Sequence, residues 1–166
     1  MTKRIIFAGP DNSGKTSIAK ELSSAIGVPY FKDDNYKEQN FGSWNYSYLT
    51  CKMELDFIRQ TKIDIILDRF IAPCEYAYGN VLRFPVSFDR LKYFDDKLSE
   101  MGFVIIYCFK TDYGDFKDEK IQLHQIEKIH EKYLEYLYQT KCKYLMLDTT
   151  DEDLDSQLTL IKTFIK

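Results

Sequence analysis

Long apolar runs are missing from this 166-residue chain. The longest are about six residues, far short of the ~20 that a membrane-spanning helix needs, so no membrane association is expected. Cysteine is sparse. Cys51, Cys74, Cys108 and Cys142 form no C-x-x-C pair, which argues against a thiolate zinc site and against a disulfide framework. Reduced thiols in a cytoplasmic protein are the expectation. The only histidines, His124 and His130, stand in a polar helical stretch without neighbouring ligands, so a zinc site is not expected. No strong basic excess is present either. With 23 basic and 26 acidic residues the formal net charge is -3, which disfavours sequence-blind nucleic-acid binding. Any anion must be held by local cations and backbone N–H groups. Arginine is unevenly spread, with none after Arg90. Internal repeats, low-complexity segments and a targeting pattern are absent.

What is present suits one globular domain over 1–166. The chain is 45% hydrophobic and 16% aromatic, enough for a sizeable and largely aromatic core. Strand-like and helix-like segments alternate. The apolar run Arg4–Ala8 predicts a first strand, and Ile18, Leu22, Ala25 and Ile26 mark a helix from Lys15 that Gly27 ends. Further strands are predicted at 28–31, 63–67, 103–109 and 144–147. Tyr48, Cys51, Leu55 and Ile58 predict one helix, and Phe88, Leu91, Phe94, Leu98 and Met101 another. Ile126, Ile129, Tyr133 and Leu137 predict a long helix from near Asp118. Thr149-x-x-Glu152 resembles a capping box before a last helix. Five short strands separated by helices imply an α/β fold, a five-stranded parallel sheet covered on both faces. Ligands of such sheets bind beyond the carboxyl ends of the strands.

The most specific signal lies beyond the first strand. Gly9-Pro-Asp-Asn-Ser-Gly-Lys-Thr16 fits G-x-x-x-x-G-K-[ST], the P-loop. Gly9 and Gly14 let the backbone curl so that the amides of Asn12, Ser13 and their neighbours, Ser17 included, point at phosphate oxygens, and the loop runs into the N-terminus of the helix from Lys15. Lys15 would reach the β- and γ-phosphates of ATP, and the Thr16 hydroxyl would bind Mg²⁺. No N-K-x-D follows a strand, which disfavours a switch GTPase; motor ATPases are usually larger. A second signal is Asp68-Arg69, an acid and a base at the end of the third strand. Asp68 could hold Mg²⁺ through water or orient the acceptor, and Arg69 could clamp a phosphate.

The phosphate loop, Asp68-Arg69-Phe70 and the following Glu75-Tyr-Ala-Tyr-Gly79 together resemble the thymidylate kinase family, most closely its short phage-type members. The resemblance implies a three-layer P-loop kinase fold and transfer of the ATP γ-phosphoryl group to a deoxynucleoside monophosphate. It implies Asp11 at the acceptor's sugar, Arg69 at its phosphate, and an aromatic on its base, with Phe70, Tyr76 and Tyr78 as candidates. For a phage protein it implies the host cytoplasm. The chain departs from the family pattern at Lys32-Asp-Asp-Asn35, where arginine is common, and in the lid at 110–120, which holds lysines, among them Lys117 and Lys120, but no arginine.

Two acceptors follow from these residues. A phosphate acceptor needs cations to hold two anions in line, and Lys32, Arg69 and Arg83 would serve. A hydroxyl acceptor, as for a deoxynucleoside or hydroxymethyl-pyrimidine kinase, profits from a carboxylate base, which Asp33 or Asp34 could supply. The phosphate acceptor is favoured. A third alternative is an ATP-binding module without turnover. Trp44 is expected in the core. A small-molecule nucleotide is the expected partner, and a homodimer is compatible with the sequence.

Overall fold

The computed structural model describes residues 3–32, 44–114, 116, 121–151 and 153–166. Strands β1 (Arg4–Ala8), β2 (Tyr30–Lys32), β3 (Ile65–Asp68), β4 (Val104–Phe109) and β5 (Lys143–Asp148) form one sheet in the order β2-β3-β1-β4-β5. All pairings are parallel. Phe7 stands opposite Asp68, Lys32 opposite Asp68, and Ala8 opposite Tyr107. This register brings Gly9, Lys32, Arg69 and Lys110 to one end of the sheet.

The strands are apolar on both sides because both are covered. Ile5 and Phe7 of β1 point to one face, with Ile66, Ile106 and Cys108, under helices α1 (Lys15–Ile26) and α7 (Leu154–Phe164). Ile6 and Ala8 point to the other, with Leu67, Ile105 and Tyr107. That face carries α2 (Trp44–Thr61), α3 (Ile71–Cys74), α5 (Phe88–Glu100) and α6 (Leu123–Gln139). Each fully buried Ile, Leu or Phe here contributes about 1.5–3 kcal/mol. Buried Asp95 ties α5 to the end of α6, accepting from Tyr136 Oη at 2.7 Å, from the Lys141 amide at 3.0 Å and from Thr140. All four cysteines are buried and free.

Several boundaries differ from the sequence expectation. β2 starts at Tyr30 because Pro29 has no N–H to enter a ladder; its carbonyl accepts from Ile66 N at 2.8 Å. α6 starts at Leu123, where Gln122 and Gln125 cap one another, whereas the expected start near Asp118 lies outside the described residues. The cap of α7 is Asp153, which accepts from Ser156 N at 3.2 Å, and Thr149 is turned inward instead. Glu152 and the side chain of Trp44 lie outside the described residues.

Helical structure at 71–82 was not anticipated. α3 continues through a π-helical turn (Glu75–Gly79) into α4 (Asn80–Leu82). Pro73 disguises this helix but is tolerated, because the amides of a first turn have no intrahelical acceptor.

Gly9 is the position with least freedom. Its φ is +145°, and a Cβ there would lie 2.1 Å from the Cys108 carbonyl oxygen of the neighbouring β4. Gly27 at the end of α1 also has positive φ, +66°, but nothing lies within 4 Å of a Cβ there. Gly27→Ala should therefore cost about 1 kcal/mol of stability, and Gly9→Ala more than about 2 kcal/mol, read as shifts of the urea midpoint at constant slope.

Candidate active site

The loop between β1 and α1 closes over the carboxyl end of the sheet. Asn12 and Gly14 take the left-handed conformation, φ 61° and 75°, so the chain reverses within a few residues. The first bond of this helix start is Ile18 N to Gly14 O at 3.2 Å, which leaves the amides of Lys15, Thr16 and Ser17 without intrahelical acceptors. Thr149 braces the loop from β5. Its amide donates to Phe109 O at 2.8 Å, and its buried hydroxyl lies 2.7 Å from Ser13 O and 3.0 Å from Phe109 O.

Lys15 is buried, and its ammonium donates to Pro10 O at 2.9 Å, 3.9 Å from Asp11 Oδ1. Burial and, next, the Arg69 charge lower its pKa to about 8. Arg69 is also buried and hydrogen-bonds Asp11 Oδ1 through Nη2. Its φ is +79°, a conformation that costs a non-glycine residue roughly 1–2 kcal/mol. Its amide donates to Phe7 O at 2.9 Å, so β1 pins the turn. The guanidinium lies 5.7 Å from the centre of the Tyr78 ring.

Asp68 accepts from Thr16 Oγ1 at 2.6 Å and from Tyr30 Oη at 2.8 Å, both on Oδ2. Its Oδ1 is buried with no hydrogen-bond partner among the described residues. Among the described residues no group of three or more His, Cys, Asp or Glu side chains could hold a metal ion. One hydroxyl, one carboxylate and an unused carboxylate oxygen nevertheless fit Mg²⁺, which usually keeps several waters and takes its other ligands from phosphates.

Two cavities flank the loop. One, of about 390 Å³, lies over β2, β3 and β1 and is lined by Asp11, Asn12, Lys15, Thr16, Lys32 and Arg69. The other, of about 260 Å³, lies over β4 and β5, between Gly14 and Ser17 on one side and Thr149, Leu154 and Gln157 on the other. Ser13 Oγ is buried without a partner among the described residues. Burial and the Asp11 charge raise the Tyr78 pKa, so its phenol stays protonated and able to donate.

No protein-family model matches the sequence, and no curated protein is significantly similar to it. Solved structures are similar. The YorR protein of Bacillus subtilis, determined in complex with phosphorylated GDP, superposes with a TM-score of 0.74 at 19% identity, over 98% of this chain and 95% of that one. Deoxyadenosine kinase from M. mycoides with bound dATP gives 0.65 at 18% identity, over 97% and 98%. The same enzyme with dCTP gives 0.58 at 22%, over 99% and 98%. The chain shares with these proteins its fold, a five-stranded parallel sheet flanked by helices. These likenesses bear on the architecture and not on the acceptor.

Of the residues expected at the site, the structure brings together Gly9 to Ser17, Lys32, Asp68 and Arg69. Phe70 and Tyr76 are placed elsewhere. Phe70 is fully buried edge-on against Phe94, and Tyr76 packs on Phe88 and Tyr136 with its hydroxyl 3.2 Å from Glu135 Oε2. Tyr78 is the aromatic beside Arg69. Arg83 donates to buried Glu75 at 2.5 Å, where burial raises the Glu75 pKa and Arg83 opposes that shift. Asp33, Asp34, Lys117 and Lys120 lie outside the described residues. His130 bonds Tyr107 Oη at 2.5 Å through Nδ1, and burial lowers its pKa. Sequence reasoning missed Thr149, mistaken for a cap, and Gln157, which no motif marks. Their positions just beyond a strand end and one turn into the next helix were the available signal.

Two predictions follow from these charges. Lys15 must be cationic to grip a phosphate, yet burial brings its pKa down to about 8. Triphosphate affinity should fall as pH rises from 7 to 9, with proton uptake on binding at pH 8, measured by calorimetry in buffers of different ionisation heat. At Arg69, glycine relieves the backbone and alanine does not. Arg69→Gly should be more stable than Arg69→Ala by about 1 kcal/mol in urea.

Proposed function

We propose that this protein is a kinase that transfers the γ-phosphoryl group of ATP to a deoxynucleoside monophosphate, thymidylate or a close relative. The observation that carries the reading is three cations, Lys15, Lys32 and Arg69, lining one cavity. The loop amides and Lys15 suffice for the terminal phosphates of the donor. Arg69 and Lys32 line the same space and serve a second anion. A phosphate acceptor is already nucleophilic near neutral pH, so the chain's task is to hold two anions in line and to neutralise their repulsion.

The residues divide that work. The amides of the loop and Lys15 fix the donor's phosphates. Arg69 exchanges its bond to Asp11 for the acceptor's phosphate, which frees the Asp11 carboxylate to accept a sugar hydroxyl. Lys32 supplies a further positive charge from β2. Tyr78 forms the wall beside Arg69. Thr16 and Asp68 would hold Mg²⁺, which when bound offsets charge on the donor's phosphates.

A hydroxyl acceptor is the second reading, favoured by the pairing of Arg69 with Asp11, which neutralises the guanidinium. The solved deoxyadenosine kinase also supports it.

A screen of deoxynucleosides and their 5′-monophosphates with ATP and Mg²⁺, read by ADP release, decides between them. Turnover should appear with a monophosphate and vanish in Lys15→Ala. Arg69→Ala should raise the acceptor KM or lower kcat by about 10²-fold, with little change in ATP KM. Turnover with nucleosides alone would establish the second reading, and ADP release without any acceptor would reject both.

A further inference from the structure

We infer that Tyr30 is a positioning residue for the Mg²⁺ that accompanies the phosphoryl donor: its hydroxyl holds the Asp68 carboxylate in the orientation that serves the cation. This rests on the kinase reading above and deepens it.

The Asp68 carboxylate is fully buried at the end of β3. One of its oxygens takes donors from two different elements. Thr16 Oγ1, in the first turn of α1, donates to Oδ2 at 2.6 Å, and Tyr30 Oη, on β2, donates to the same atom at 2.8 Å. In the ladder Tyr30 stands opposite Ile66 and Lys32 opposite Asp68, so the phenol reaches forward along the strand to meet the carboxylate. The ring is itself held in place. It is half-buried against the core that α1 covers, and Lys20 Nζ lies 5.8 Å from its centre. No motif of the sequence marks this tyrosine.

The torsion that turns an aspartate carboxylate is soft and nearly two-fold. One donor leaves the group able to swing about that bond. Two donors from separate elements, converging on one oxygen, fix it. A carboxylate that serves a metal ion depends on such partners for its orientation. Thr16 would give its oxygen to Mg²⁺ and keep only its proton for Asp68, so the orientation then falls mainly to Tyr30. The kind of partner matters too. A lysine or arginine in place of Tyr30 would orient the carboxylate, but its charge would oppose an approaching dication. A phenol donates a hydrogen bond and brings no charge. The competing account is structural: β2 is a three-residue edge strand, and the bond to Asp68 would simply anchor it. The two accounts differ in what loss of the hydroxyl does to binding without metal.

Tyr30→Phe removes the hydroxyl and keeps the ring and its contact with Lys20. The test uses the full chain and a non-hydrolysable ATP analogue. Calorimetry gives the Kd of the analogue in EDTA and in saturating Mg²⁺, and the ratio of the two is the gain from the metal. Tyr30→Phe should lower that gain by about tenfold, the scale of losing a partner of a metal ligand, while the Kd in EDTA stays within about twofold of wild type. In an Asp68→Asn background the same change should do nothing further, because the hydroxyl acts through that carboxylate. Loss of the fold in Tyr30→Phe, or equal weakening in EDTA and in Mg²⁺, assigns the hydroxyl a structural role and overturns the inference. So does an undiminished gain in Tyr30→Phe, or a loss that persists in full in the Asp68→Asn background. If wild-type binding is the same with and without Mg²⁺, this inference falls and ATP binding stands. If the analogue does not bind at all, the kinase reading falls with it.

Discussion

Positive charge held away from water is the constraint on which this site depends. Lys15 and Arg69 are both buried; Asp11 approaches both, and the charge of buried Asp68 also acts on Lys15. The discomfort shows in the lowered pKa of Lys15, about 8. An arrangement that disfavours its own cations is complementary to an incoming polyanion, because each phosphate relieves a repulsion already built in. The backbone holds the arrangement in place: Gly9 against the Cys108 carbonyl, Arg69 in a strained conformation pinned to Phe7, and Thr149 bracing Ser13. Folding energy from the two cores sustains these local costs.

The fold was legible because its signals are local and repeated. The alternation Ile5/Ile6/Phe7/Ala8 between two covered faces, the helical spacing of Cys51, Leu55 and Ile58, and the glycines that end helices all act over a few residues. Boundaries were less legible where one atom decides them, as with the missing N–H of Pro29 or the Asp153 cap. The site divides the same way. The phosphate loop and Asp68-Arg69 are contiguous motifs, and sheet register joins them. Gln157 and Thr149 reach the site only because β5 lies beside β4, a neighbourhood that no short motif encodes. Which tyrosine stands by Arg69 was also hidden, since Phe70, Tyr76 and Tyr78 are equally aromatic and differ only in direction.

The asymmetry of the sheet explains how two ligands can be kept apart. With β1 in the middle, β3 and β2 build the side of Arg69 and Lys32, and β4 and β5 build the side of Thr149 and Gln157. The loop after β1 is the only stretch that both sides share among the described residues. On the reading proposed above, two molecules bound on the two sides would have one meeting point, set by topology before any side chain is chosen.

The π-helical turn at Glu75–Gly79 carries a consequence for reading relatives of this chain. One additional residue is absorbed inside a helix, with no loop to betray it. Upstream and downstream of that turn, the same numerical spacing points in different directions. An ungapped alignment to a protein whose helix is regular would set Tyr78 one place out and could credit the wrong aromatic with the position beside Arg69. Pairing residues here requires superposed backbones, since an insertion that bulges the helix leaves chain length as its only trace in the letters.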